Sequence, residues 1–163
     1  MAKILIIYDS QTGHTEKMAY AVAEGVRQIR GMDPEVKKVD KASLDDLVAA
    51  DAIIMGSPTY YGQMSAKLKA LIDSSEKIHG KLEGKVGAAF TSAGGTASGA
   101  ETTLLSILHA MLVHGMIIQG RPDDKHYGAT SVEAPVEKDI EYCNMLGKRV
   151  ATLTIRLTGR PSK

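Results

Sequence analysis

The sequence predicts an α/β three-layer sandwich: a five-stranded parallel sheet in the order 2-1-3-4-5, with helices on both faces. Three observations predict it. Continuous apolar runs such as "KILIIY", "AIIMG" and "KVGAAFTS" mark strands buried on both faces. Each is followed by a segment of helical periodicity, so strand and helix alternate along the whole chain. The runs end in polar or glycine-rich turns, where such sheets carry ligands at a switch in strand order.

The elements follow in order. After "KILIIY", Met18, Val22, Val26 and Ile29 recur at helical spacing, and Gly31 stops that helix. "EVKKVD" alternates apolar and polar residues, as an edge strand does. "SLDDLVAAD" opens on Ser43 with Asp46 at the capping-box position and reads as a short helix. "AIIMG" is a buried strand, and "SAKLKALIDSSEKI" a helix with Leu68, Leu71 and Ile72 on one face. "KVGAAFTS" is a strand, "AETTLLSILHAMLVH" an apolar helix and "GMIIQG" a further buried strand. Val136, Ile140, Cys143, Leu146, Val150, Leu153 and Leu157 form the stripe of a last long helix, with Pro135 suited to its first turn. The expected organisation is one domain over 1–158 and a short flexible tail over 159–163.

The bulk numbers narrow the function. Twenty Lys and Arg against nineteen Asp and Glu leave a net charge of +1. That balance argues against a nucleic-acid partner, which calls for a clustered basic face. A single cysteine, Cys143, excludes an internal disulfide and a cysteine-ligated iron–sulfur cluster and suits the cytoplasm. The apolar start is too short to insert in a membrane.

Three turns carry the chemistry. Ser10, Thr12, Gly13 and Thr15 lie where the first strand meets its helix, and the first lysine after this turn is Lys17. Free helix-end amides and uncharged hydroxyls describe a phosphate cradle. The lysine of a nucleoside-triphosphate loop and the G-x-G-x-x-G dinucleotide turn are both lacking, so a monophosphate that is held and not transferred fits best. In "SPTYYGQMS", Tyr60 and Tyr61 stand side by side in a chain with only 4% aromatic residues, and one of them at least suits stacking on a flat ring. "AGGTASGAE" offers backbone amides to the edge of a heterocycle. In the predicted strand order these loops are neighbours, so together they surround one phosphorylated flat ring.

His109 and His114 are five apart, about 140° around a helix, so they do not share a face for a metal. Cys143 falls on the apolar stripe and reads as core. Asp9 lacks the aspartate after the third strand that a receiver domain of similar topology needs; Gly56-Ser57-Pro58 stands there.

Ser10-x-Thr12-Gly13-x-Thr15 after a buried strand resembles the FMN-phosphate signature of the flavodoxin-like superfamily. "GSPTYYGQMSAKLKALID", "FTSAGG", "HGM", "YGAT" and the opening "MAKILIIY…GHTEKMAYAVAEG" resemble segments of its WrbA-type members, the type IV NAD(P)H:quinone oxidoreductases. The likeness runs through nearly the whole chain in order. It implies a flavodoxin-like fold, FMN as cofactor, and Ser10, Gln11, Thr12, Gly13, His14 and Thr15 as the phosphate site. It implies that Pro58, Thr59, Tyr60, Tyr61 and Gly62 line the isoalloxazine and that Thr91, Ser92, Ala93, Gly94 and Gly95 form the third loop. It brings His114 to the flavin as the one catalytic side chain, stabilising the reduced ring. The implied activity is two-electron transfer from NADH or NADPH to a quinone, in a homodimer or homotetramer, with Tyr127 a candidate to complete a neighbour's pocket.

Two features depart from that group. Only "KASLDDLVAA" fills the place of an insertion it carries before the third strand, and Tyr60-Tyr61 replaces an arginine and a phenylalanine. The alternative reading is a single-electron carrier of the same fold between protein partners. Such carriers are usually strongly acidic for docking, and this chain is balanced.

Overall fold

The computed structural model describes residues 1–159. The tail expected from 159 onward therefore falls, but for Gly159, outside the described residues. Strands β1 (Ala2–Tyr8), β2 (Met32–Lys38), β3 (Ala52–Pro58), β4 (Val86–Ala93), β5 (Ile117–Ile118) and β6 (Ala129–Val132) form one parallel sheet in the order β2-β1-β3-β4-β5, with β6 also on β4. Helices α1 (His14–Arg27) and α5 (Glu137–Thr158) pack together beneath one face; α2 (Leu44–Ala49), α3 (Ala66–Ser74) and α4 (Ala100–Val113) cover the other.

The two-sided burial follows from strand alternation. On β1, Ile4, Ile6 and Tyr8 join Met18, Val22, Val26, Cys143, Leu146 and Val150 in one core. Leu5 and Ile7 point the other way, against Leu47, Leu68, Leu104, Ile107 and Met111. Cys143 is core as expected, and burial pushes its thiol up to about 12. The Ser43 capping box forms: Ser43 Oγ accepts from Asp46 N–H, and the Asp46 carboxylate accepts from Ser43 N–H.

Helices α1 and α5 approach closely through two glycines. A Cβ at Gly25 would lie 2.0 Å from the Asn144 carbonyl oxygen, and one at Gly147 would lie 2.1 Å from that of Val22. This contact seats α1, and hence its N-terminus, against the body of the fold.

Two expectations change. "GMIIQG" is not a full buried strand: only Ile117 and Ile118 pair, with Val86 and Gly87, and Ile117 is exposed. The chain then leaves the sheet through "RPDDKHY", a run rich in turn residues, and rejoins it as β6 beside Phe90–Ala93. Gly128 makes the return possible, because any Cβ there would meet the Ala89 carbonyl oxygen at 2.1 Å with φ at +154°. The fifth sheet position is thus shared by two short strands. Pro135 also lies just before the last helix, whose N-cap is Val136.

Candidate functional site

The parallel register sets Tyr8 beside Gly56 and Gly56 beside Phe90, so β1, β3 and β4 end at one level. The chain crosses from β2 over β1 to β3, which makes this edge the switch point. A cleft of about 310 Å³ opens there, lined by Ser10, Gln11, Thr12, His14, Thr15, Pro58, Thr59, Tyr60, Ser92, Ala93, Gly94 and Glu133.

One wall is the mouth of α1. Gly13 is its N-cap in the left-handed region at φ +90°, and a Cβ there would meet nothing within 4 Å. A glycine cannot cap with a side chain, so first-turn amides are left to a ligand. Gly13 N–H itself donates to Ser10 Oγ at 3.1 Å, which closes the turn. Thr15 is buried and its Oγ1 lies 2.8 Å from Ser92 Oγ. Whichever hydroxyl donates in that pair, the other keeps its hydrogen for the cleft. No lysine or arginine lines the cleft among the described residues; the Lys17 ammonium instead donates to the Pro135 carbonyl at 3.3 Å.

The second loop is held from behind. Thr91 is fully buried and does not line the cleft. Its Oγ1 donates to the Ser57 carbonyl at 2.6 Å and lies 2.9 Å from Thr59 Oγ1, while Thr59 N–H donates to the Ser92 carbonyl at 2.8 Å. Tyr60 and Gln63 exchange both backbone hydrogen bonds at 3.0 Å across a tight turn. Tyr61 (φ +49°) and Gly62 (φ +72°) fill its centre, the geometry of a type I′ turn. The two tyrosines therefore differ. Tyr60 lines the cleft, and its phenol is shifted up by burial and then by the nearby buried Asp9. Tyr61 stands at the tip, fully exposed. Gly62 does not line the cleft: a Cβ at Gly99, the N-cap of α4, would be 2.7 Å from Gly62 Cα, so the second and third loops touch there. Gly95 likewise lies beyond the lining formed by Ser92, Ala93 and Gly94.

His114 is not in this cleft. Helix α4 starts beside the cleft and runs back along the sheet for 14 residues, about 20 Å, before His114 closes it. Its Nε2 lies 2.7 Å from Ser75 Oγ, its ring is 5.7 Å from that of His79, and Leu47, Leu82 and Met111 surround it. Burial, then His79, holds its pKa below the usual histidine value. Two carboxylates escaped the sequence reading. Glu133 lines the cleft from the turn after β6, at φ +55°, with its N–H donating to the Ala93 carbonyl at 2.7 Å. Asp9, which the sequence discounts as a receiver residue, is buried near Tyr60. The β6 segment carries no periodicity that would have pointed to Glu133.

The chain is similar to known flavin proteins. Residues 2–123 match the family described as NADPH-dependent FMN reductase. An Archaeoglobus fulgidus protein named NAD(P)H dehydrogenase (quinone) is 40% identical, over 96% of this chain and all of the relative. That alignment spans 191 positions against 163 residues here, so the relative carries insertions. An Aquifex aeolicus protein named flavodoxin is 39% identical over 93% of this chain and 86% of the relative. Among solved structures, a flavodoxin, WrbA-like protein from Agrobacterium tumefaciens superposes with a TM-score of 0.82 at 29% identity, covering 96% of this chain and 99% of that one. No helix among the described residues is long and apolar enough to cross a membrane. The chain belongs to the NADPH-dependent FMN reductase family, flavodoxin-like oxidoreductases whose cofactor is FMN.

Proposed function

We propose that this cleft holds FMN and that the protein passes two electrons from NADH or NADPH to a quinone. The observation that carries the reading is the open mouth of α1. A glycine N-cap leaves amides free beside hydroxyls, with no fixed cation, at the switch point of the sheet. That donor set suits a phosphate monoester held as an anchor.

In this reading the amides of His14 and Thr15, with Ser10, Gln11, Thr12 and His14, take the phosphate. Tyr60 and Pro58–Thr59 hold one side of the ring, and the backbone of Ser92–Gly94 approaches its edge. Bound there, FMN supplies hydride acceptance and the return of an electron pair to the acceptor. The protein's own part is to bind, orient and shield. Tyr60 keeps its phenolic proton, because burial and Asp9 both oppose its loss, and so offers a neutral ring and an O–H. Thr91, Thr59, Ser57 and Gly62 fix the loop that carries Tyr60. His114 takes no part within the chain.

The test is direct. FMN-loaded protein is mixed anaerobically with NADH or NADPH, and the flavin absorbance is followed before and after benzoquinone is added. Rapid bleaching and repeated reoxidation support the reductase. Bound flavin that neither nicotinamide reduces overturns it in favour of a single-electron carrier. Protein that takes up no FMN overturns the cleft assignment itself. An assembly of two or four copies, seen by light scattering, belongs to the same proposal.

A further inference from the structure

A second cleft, of about 390 Å³, lies between the later turns of α5 and the segment after β5. It shares no residue with the first. Arg121, Lys148, Arg149 and Arg156 line it, together with Met145 and Leu153, and no lining residue is acidic. In a chain of net charge +1 this is a marked local concentration. Met145, Arg149, Leu153 and Arg156 recur three or four apart, with Lys148 three after Met145, so they line one side of the helix. A solvated helix face usually alternates its charges, and this one does not. Cations near a helix C-terminus are favoured by the dipole, which accounts for Arg156 but not for Lys148 and Arg149 in mid-helix.

The half-buried Arg149 is the telling residue. It has no ion pair or hydrogen bond to any described residue. Burial, then Arg121, pushes its pKa down, as expected where a counter-charge is wanting. Arg121 faces it from the other wall, its guanidinium 5.1 Å above the Tyr142 ring and 3.8 Å from the Asp123 carboxylate. Three guanidiniums and an ammonium around one recess match the oxygens of a phosphate group. The volume is within the range of small-molecule sites, and the apolar pair suits an organic body.

We infer that this cleft binds a small phosphorylated molecule of at least two negative charges, with its apolar part against Met145 and Leu153. The inference does not depend on the flavin reading. To test it, protein saturated with FMN, so that the α1 cradle is filled, is titrated calorimetrically with inorganic pyrophosphate and separately with ADP. The expected result is saturable binding of one molecule per chain, tighter for ADP, and at least tenfold weaker in Arg149→Gln and in Lys148→Gln. Arg27→Gln, exposed on α1, leaves it unchanged. Pyrophosphate raises the melting temperature of the unmodified protein and not that of Arg149→Gln. Arg149→Gln removes an uncompensated charge and should fold; Lys148 is exposed and gives a second reading. Absence of saturable binding, equal binding by Arg149→Gln, or binding of polyglutamate but of neither phosphate probe overturns the inference. If the chain takes up no FMN, dependence on Arg149 still decides this proposal separately from the first.

Discussion

Substituting alanine for Gly25 tests whether the seat of α1 positions the cradle. The new Cβ would lie 2.0 Å from the Asn144 carbonyl oxygen and 2.7 Å from its carbon, both backbone atoms of α5. Ordinary contact starts near 3.5 Å, so the helices must part by about 1.5 Å. Neither atom can rotate away, which places the overpacking cost near the top of the usual range, about 3 kcal/mol. Alanine's better helix propensity offsets about 1 kcal/mol of this. The net loss of about 2 kcal/mol lowers the melting temperature by roughly 4–8 °C in a chain of this length. Calorimetric melting with and without FMN measures it, and Glu24→Ala on the exposed side of the same helix is the control. Because α1 carries the Ser10–Thr15 turn at its mouth, the FMN dissociation constant should rise as well. The reasoning fails if the variant melts higher: a rise of roughly 2–4 °C is what propensity alone would give.

Four further outcomes are expected. Thr12→Val removes an exposed hydroxyl that bonds no described residue, and fluorescence titration should show FMN binding about ten- to a hundredfold weaker, the usual loss for a hydrogen bond to a charged group. Glu133→Gln removes a carboxylate from a cleft that receives an anion, so the same titration should show FMN bound about two- to fivefold tighter, less so at high salt. The Lys37 ammonium, helped by Ser43, holds the Asp46 carboxyl down to about 2. The stability this gives is present above the unfolded value near ~4 and is lost as pH falls towards 2, so Asp46→Asn should lose about 1–2 kcal/mol at pH 7 and flatten the acid limb of urea unfolding. His114 has a lowered folded pKa, so its share of stability is present above about pH 6.5 and declines below it. His114→Gln should soften that decline in melts between pH 7 and 5, while FMN affinity and kcat/KM stay unchanged.

The sheet was legible because its strands have to be buried on both faces. "KILIIY" can satisfy two cores only as a central strand, and Ile4 and Leu5 do go to opposite faces. The Ser43–Asp46 cap and the α1 stripe are local, and local pattern determines them. The cradle was legible for the same reason, since Ser10, Thr12 and Gly13 lie within one turn. What lay hidden depends on length and direction in space. Whether a histidine at the far end of an apolar helix reaches the cleft depends on which way α4 runs, and 14 residues carry His114 to the other end of the sheet. Whether "GMIIQG" stays in the sheet depends on the excursion after it, whose return is permitted by the missing Cβ of Gly128 against Ala89. Adjacent tyrosines look equivalent in sequence, yet a type I′ turn sends Tyr60 inward and Tyr61 out.

The two clefts attract anions by different physics. At the mouth of α1 the donors are amides and hydroxyls whose positions are fixed by Gly13, by the Ser10 turn and by the Thr15–Ser92 pair. Such dipoles act over about one turn of helix and carry no charge to titrate, so they hold one group in one place and add little attraction at a distance. A lysine there would strengthen binding, but it would also pull on any anion that passed. Glu133 on the rim raises that barrier further, because a ligand must make the full set of short contacts to overcome its repulsion. In the second cleft the reverse would hold: four full charges, on Arg121, Lys148, Arg149 and Arg156, attract anions over a longer range and select mainly by charge. A resident cofactor calls for the first arrangement and an exchangeable ligand for the second; the two clefts share no lining residue, so each set of donors can be tuned without the other.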